Sequence, residues 1–193
     1  MFQKKGLANL LTKQTSMTDK VYIISGTNRV ASMSYQIALI YQALLKDLNT
    51  ESEIIDLQLL PEDFTFSALY EMSGKNEAFN KYRQMMAEGK KFVFVVPEYN
   101  GSFPGVLKAF IDGLEFPNSF RDKKCALVGV SSGIQGAGLA LSHLTDIFNY
   151  CGMHVLAQKP KLAHIDDHFD NGEVVNELYV SLLKEQAEKL VEF

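Results

Sequence analysis

A chain of 193 residues and 21.6 kDa that is 47% hydrophobic, 11% aromatic and 22% charged has the composition of one ordinary folded unit, which excludes a disordered or fibrous protein. Nineteen Lys and Arg against 23 Asp and Glu give a net charge of −4 and a pI near 5.6, too acidic for a general nucleic-acid binder or a polybasic membrane binder, so small molecules are the expected partners. Cys125 and Cys151 lie in apolar stretches without metal-ligand spacing, which fits buried thiols in a reducing compartment and an expected cytoplasmic location.

Residues 1–20 carry Lys4, Lys5, Lys13 and Lys20 among short apolar pieces and are expected to form a flexible N-terminal extension, with Met17 offering a second start. No apolar run approaches the roughly 18 to 20 residues of a bilayer span, so no membrane partner is expected. From Val21 the pattern alternates. Val21 to Ile24 predicts a strand, Ser32 to Leu48 a helix and Glu53 to Leu57 a second strand. An irregular piece around Pro61 to Ser73 precedes a helix from Asn76 to Glu88, stopped by Gly89. Phe92 to Val96 is an apolar, β-branched run of the kind covered on both faces, and Pro104 to Leu114 is expected to be helical. Then come a strand at Cys125 to Val130, a helix from Ala137 to Tyr150, a strand at Met153 to Ala157 and a closing helix from Glu173 to Val191. The loop from Gln158 to Glu173 is read as a lid or subunit contact. Alternating strands and helices predict a three-layer α/β sandwich around a five-stranded parallel sheet, here one domain over residues 21–193.

In an open sheet of order 2-1-3-4-5, ligands sit beyond the carboxyl ends of the strands, where the strand order reverses. Three loops fall there. The first runs from Ser25 through Gly26, Thr27, Asn28, Arg29 and Ser32 to Ser34. It is rich in hydroxyl and amide donors, carries one cation and feeds into a helix, which suits an anion such as a phosphate monoester; capping by Ser32 or Ser34 alone is the competing explanation. The second, Pro97-Glu98-Tyr99-Asn100-Gly101-Ser102-Phe103, is stiffened by Pro97 and Pro104, and Tyr99 and Phe103 can cover a flat ring. The third brings Ser131, Ser132 and Gly133 to the same end, and its glycines at 133, 136 and 138 are best explained by tight turns and helix packing.

Ser25-Gly26-Thr27-Asn28-Arg29 with Ser32 and Ser34, followed by Pro97 through Lys108 (PEYNGSFPGVLK), resembles the NADPH-dependent FMN reductases, a family that includes quinone, azo-dye and chromate reductases. The resemblance spans about Val21 to Phe193. It implies a flavodoxin-like fold, bound FMN, NADPH or NADH as hydride donor, a quinone, azo compound, free flavin or similar acceptor, and a homodimer or homotetramer. It also implies that Thr27, Asn28, Arg29, Ser32 and Ser34 hold the FMN phosphate, that Pro97, Glu98, Tyr99, Asn100 and Gly101 edge the ring, and that Ser132 and Gly133 close its far side. Ala109 and Gly113 stand where many relatives carry Asn and Trp.

Neither a Walker lysine nor a G-x-G-x-x-G turn is present, which argues against nucleoside triphosphate hydrolysis and against a dinucleotide fingerprint. Glu98 is expected to bond backbone amides or Arg and not to act as a base, and no residue is assigned a catalytic acid, base or nucleophile role. A flavodoxin-type electron carrier is the alternative, disfavoured by Arg29 and the modest net charge. A serine hydrolase built on Ser102 or Ser131 with His164 and Asp166 is weaker still, because Gly101 to Gly105 is not G-x-S-x-G. His164 and His168, among Asp166, Asp167 and Asp170, read as a solvated acidic turn, so no metal is expected. Met33, Tyr35, Tyr41 and Leu45 recur at helical intervals and are read as packing residues.

Overall fold

The strands at Val21–Ser25, Lys91–Pro97 and Lys124–Val130 are short, largely apolar and shielded on both sides, and that requirement sets the architecture. The computed structural model describes residues 20–193. The expected N-terminal extension therefore lies outside the described residues except for Lys20, whose ammonium pairs with Glu53 and, at 3.6 Å, with Glu51. In chain order the elements are β1 (Val21–Ser25), α1 (Met33–Asp47), β2 (Ser52–Asp56), α2 (Phe64–Ser67), α3 (Glu77–Glu88), β3 (Lys91–Pro97), α4 (Gly105–Gly113), β4 (Lys124–Val130), α5 (Gly138–Tyr150), β5 (His154–Val155), β6 (Lys161–Leu162), β7 (Phe169–Asp170), β8 (Glu173–Val174) and α6 (Glu177–Glu192).

The sheet order is β2-β1-β3-β4-β5, all parallel, with β6 also on β4. Period-two alternation sorts its side chains into two cores. Ile24, Phe92, Phe94, Val96 and Leu127 face α3, α4 and α5, where they meet Met86, Phe110 and Phe148. Val21, Ile23, Val93, Val95 and Val128 face the other way, against Ile37, Tyr41 and Leu45 of α1 and Leu183 and Leu190 of α6. Gly113 is part of the first core: a Cβ there would stand 2.7 Å from the Phe79 ring.

Two expectations need correction at the sheet's edge. The strand expected at Met153 to Ala157 is shorter, with His154 and Val155 pairing with Lys124 and Cys125, and a second short strand in the stretch expected to be loop, Lys161 and Leu162, pairs with Gly129 and Val130. Between them the edge strand leaves the ladder, and the buried Gln186 of α6 donates to Leu127 O (3.0 Å) and to Gln158 O (2.7 Å), replacing a strand with a side-chain amide. The closing helix starts at Glu177, not Glu173, because Asn176 caps it by accepting from the Tyr179 amide at 3.2 Å. Glu173 and Val174 instead pair with Asp170 and Phe169 around Asn171-Gly172, both at positive φ. From 158 onward the segment thus contains β6, which joins the central sheet, then a short 3₁₀ turn at 165–168 and the hairpin β7–β8, which is a separate two-stranded sheet.

Candidate functional site

β1, β3 and β4 end side by side, and the loops leaving them are tied to one another by main-chain bonds. Gly26 N donates to Val95 O (2.9 Å), Glu98 N to Val130 O (3.0 Å) and Ser131 N to Leu162 O (3.0 Å). Ile165 N donates back to Ser131 O at 3.1 Å, so the segment after β6 becomes a fourth member of the group. Gly26 is required by this crowding, since a Cβ would lie 2.8 Å from Val95 O. Together the loops enclose a cleft of about 230 Å³.

The first loop supplies the polar end. Thr27 is buried, and its Oγ1 accepts from Arg29 N at 3.2 Å. Arg29 is exposed and lines the cleft. Ser32 is the N-cap of α1, its Oγ accepting from Tyr35 N at 3.2 Å. Ser34, in the first turn, is only 1% exposed, lines the cleft, and has no hydrogen-bond partner for its Oγ. A buried hydroxyl without a partner is costly, and the opening amides of α1 have no helical carbonyl of their own. An anion with several acceptor oxygens, placed beside Arg29, would satisfy all of them, and these residues fit a phosphate monoester.

The second loop is held as a tight turn. Tyr99 and Ser102 exchange backbone hydrogen bonds (2.8 and 3.1 Å) around Asn100 (φ 52°) and Gly101 (φ 74°). Pro97, Glu98 and Tyr99 line the cleft, and Tyr99 Oη lies 2.8 Å from Thr27 Oγ1. Glu98 bonds a backbone amide as expected: its Oε2 accepts from Ala137 N at 3.1 Å, tying this loop to the start of α5. Phe103 is packed against the core on the α4 side and does not line the cleft, so the expected second aromatic cover is missing.

Of the residues singled out from sequence, the cleft brings together Thr27, Arg29, Ser32 and Ser34 with Pro97, Glu98, Tyr99, Ser131 and Ser132. Ser25, Asn28, Asn100, Gly101 and Gly133 do not line it. Ser25 is fully buried at the end of β1, and Asn28 points to solvent. The wall also contains Ala31, Met33, Val130, Ile165 and Asp166, so Met33 is more than a packing residue. The signal for Ile165 and Asp166 was the rule already applied to the other loops, since they too follow the carboxyl end of an edge strand.

The hydrolase arrangement is not assembled. Ser102 Oγ bonds His143 Nδ1 (2.9 Å) and Ser131 Oγ donates to Gly133 O (2.7 Å), so neither hydroxyl is paired with His164. No cluster of His, Cys, Asp and Glu among the described residues has metal-binding geometry. Burial pushes the Cys125 thiol up to about 12 and raises that of Cys151, the direction opposite to that of an activated thiol.

Residues 20–165 match the sequence profile described as NADPH-dependent FMN reductase. A 2-hydroxy-1,4-benzoquinone reductase of a Burkholderia species is 31% identical over 162 residues, covering 75% of this chain and 88% of that protein. An NAD(P)H-dependent FMN reductase of Pseudomonas aeruginosa is 27% identical over 183 residues, 90% of this chain and 95% of its own length. Among solved structures, the flavoenzyme NAD(P)H:(acceptor) oxidoreductase FerB of Paracoccus denitrificans superposes with a TM-score of 0.72 at 22% identity, covering 90% of this chain and 96% of its own. The shared fold is flavodoxin-like.

Proposed function

The chain belongs to the NADPH-dependent FMN reductase family, and on that premise we propose that it is an FMN-dependent NAD(P)H oxidoreductase that passes hydride from NADPH or NADH to quinones, azo compounds, free flavin or similar small acceptors. When bound, FMN supplies the hydride-accepting and hydride-donating centre between two successive substrates. The polypeptide then has to bind and orient, and its residues are suited to that task. Ser32, Ser34, Thr27 and Arg29 would hold the phosphate, Pro97 to Tyr99 one border of the ring, and Ser131 and Ser132 the opposite border. Glu98 is engaged with the Ala137 amide, in keeping with a structural role beside the ring.

The observation that carries this reading is Ser34 Oγ, a buried hydroxyl on the cleft wall that finds no partner within the protein. Homodimeric or homotetrameric assembly and a cytoplasmic location belong to the same proposal. The family is what supports the assembly, and two cysteines that are both free fit the location; no helix among the described residues is long and apolar enough to cross a membrane. The test is a visible absorption spectrum of protein supplemented with FMN, taken anaerobically before and after NADPH or NADH. Bleaching on addition of the nucleotide and recovery on addition of a quinone are expected. Bound FMN that neither nucleotide bleaches would point to an electron carrier, and protein that takes up no FMN would end the proposal.

A further inference from the structure

Thr27 Oγ1 and Tyr99 Oη, 2.8 Å apart, join the first loop to the second, and both residues line the cleft. A threonine hydroxyl has two acceptor lone pairs and one proton. One lone pair is taken by Arg29 N, 3.2 Å away. The polarity of the bond to Tyr99 therefore decides what Thr27 can offer a ligand. If Thr27 donated, its proton would be used and nothing would remain for an anion. If Tyr99 donates, both lone pairs are filled and the Thr27 proton is the single valence left over. A phenol is the more acidic hydroxyl and the stronger donor, which favours the second arrangement.

We propose that Tyr99 is a positioning residue for the phosphate end of the cleft: by donating to Thr27 it fixes the rotation of the Thr27 hydroxyl, so that the Thr27 proton is held toward the FMN phosphate. Tyr99 belongs to the loop that borders the ring, yet on this argument it contributes to the preference for a phosphorylated flavin over an unphosphorylated one. The proposal rests on the FMN reading above. Both hydroxyls are held by their own loops. Thr27 is 1% exposed with its amide donating to Ser25 O at 2.9 Å, and Tyr99 sits in the backbone-paired turn with Ser102.

The test is flavin fluorescence titration of the full chain with FMN and with riboflavin, alongside thermal melting of each flavin-free variant. Tyr99→Phe keeps the ring and removes only the donor, leaving the Thr27 proton free to rotate; it is expected to weaken FMN binding about fivefold while changing riboflavin binding by less than about twofold. Thr27→Val should weaken FMN at least as much, and adding Tyr99→Phe to it should cost nothing further, because the two hydroxyls act in series. Thr27→Ser should restore both the affinity and its sensitivity to Tyr99→Phe. Equal loss of both flavins in Tyr99→Phe, no loss of either, or multiplying effects in the double variant would each overturn the proposal. A parent protein that binds neither flavin would overturn it too, and that outcome is recognised as failure of the FMN reading because it appears without any substitution.

Discussion

Ser32 and Ser34, two positions apart at the start of α1, are wired differently. Ser32 Oγ accepts the Tyr35 amide and caps the helix, whereas Ser34 Oγ is buried and bonds nothing in the protein. Ser32→Ala is therefore expected to lower the stability of the flavin-free protein by about 1 kcal/mol, the usual cost of a lost N-cap. Ser34→Ala removes a hydroxyl that the fold leaves unsatisfied and should leave stability unchanged or slightly raised, while weakening FMN binding. Urea unfolding without flavin, paired with FMN titration, separates the two. If Ser34→Ala destabilised the protein as much as Ser32→Ala, the hydroxyl would be serving the fold and not a ligand. Backbone strain marks the same neighbourhood: Ala31, Asn100, Ala137 and His164 all have positive φ, and each lies in or beside one of the loops that build the cleft.

At the scale of elements, the strands and helices legible in the sequence are those whose periodicity runs for five residues or more. Val21–Ser25, Lys91–Pro97 and Lys124–Val130 are buried almost throughout, and their apolar runs mark them. Of the two-residue strands, His154–Val155 was read within the stretch Met153 to Ala157, whereas Lys161–Leu162, Phe169–Asp170 and Glu173–Val174 were not legible, because alternation over two positions carries no signal; only Asn171-Gly172 announces the hairpin between the last two. The break in the edge strand depends on Gln186, some thirty residues later in the chain, and no local pattern encodes it. Gln186→Leu would strip Leu127 O of its donor in a buried setting and should cost about 1–3 kcal/mol, read from urea unfolding. Asp56 ends β2 and caps the 3₁₀ turn at Leu57–Leu59 by accepting from Gln58 N at 3.1 Å, while burial raises its carboxyl above the usual range. The folded protein thus keeps the Asp56 proton to higher pH than the unfolded chain does. The stability this gives is full below the ordinary value of about 3.9 and is lost as pH rises through the raised one. Asp56→Asn retains an acceptor for Gln58 and removes the charge, so it should exceed the parent in stability at neutral pH and converge with it near about pH 3.

For the whole molecule, the topology tells which loops meet but not which of their atoms face inward. The strand-order rule placed the loops after β1, β3 and β4 together, and nine of the residues singled out on them do line the cleft. Asn28 and Asn100 illustrate what the rule cannot reach: both have the right chemistry, but turn geometry sends one to solvent and puts the other at the tip of a tight turn. Because the cleft is closed by bonds between loops widely separated in sequence, a ligand filling it opposes the separation of all of them. Binding to the folded state alone stabilises by about 2.7 kcal/mol at one hundred times the dissociation constant. FMN is therefore expected to raise the melting temperature of the parent more than riboflavin at the same concentration, since only FMN carries the group that Arg29, Ser32 and Ser34 can hold. In Arg29→Ala the FMN shift should fall toward that of riboflavin, while the riboflavin shift stays where it was. Differential scanning of the four combinations reads this directly. A substitution that lowered both shifts by the same amount would mean that Arg29 shapes the cleft as a whole and does not serve its phosphate end.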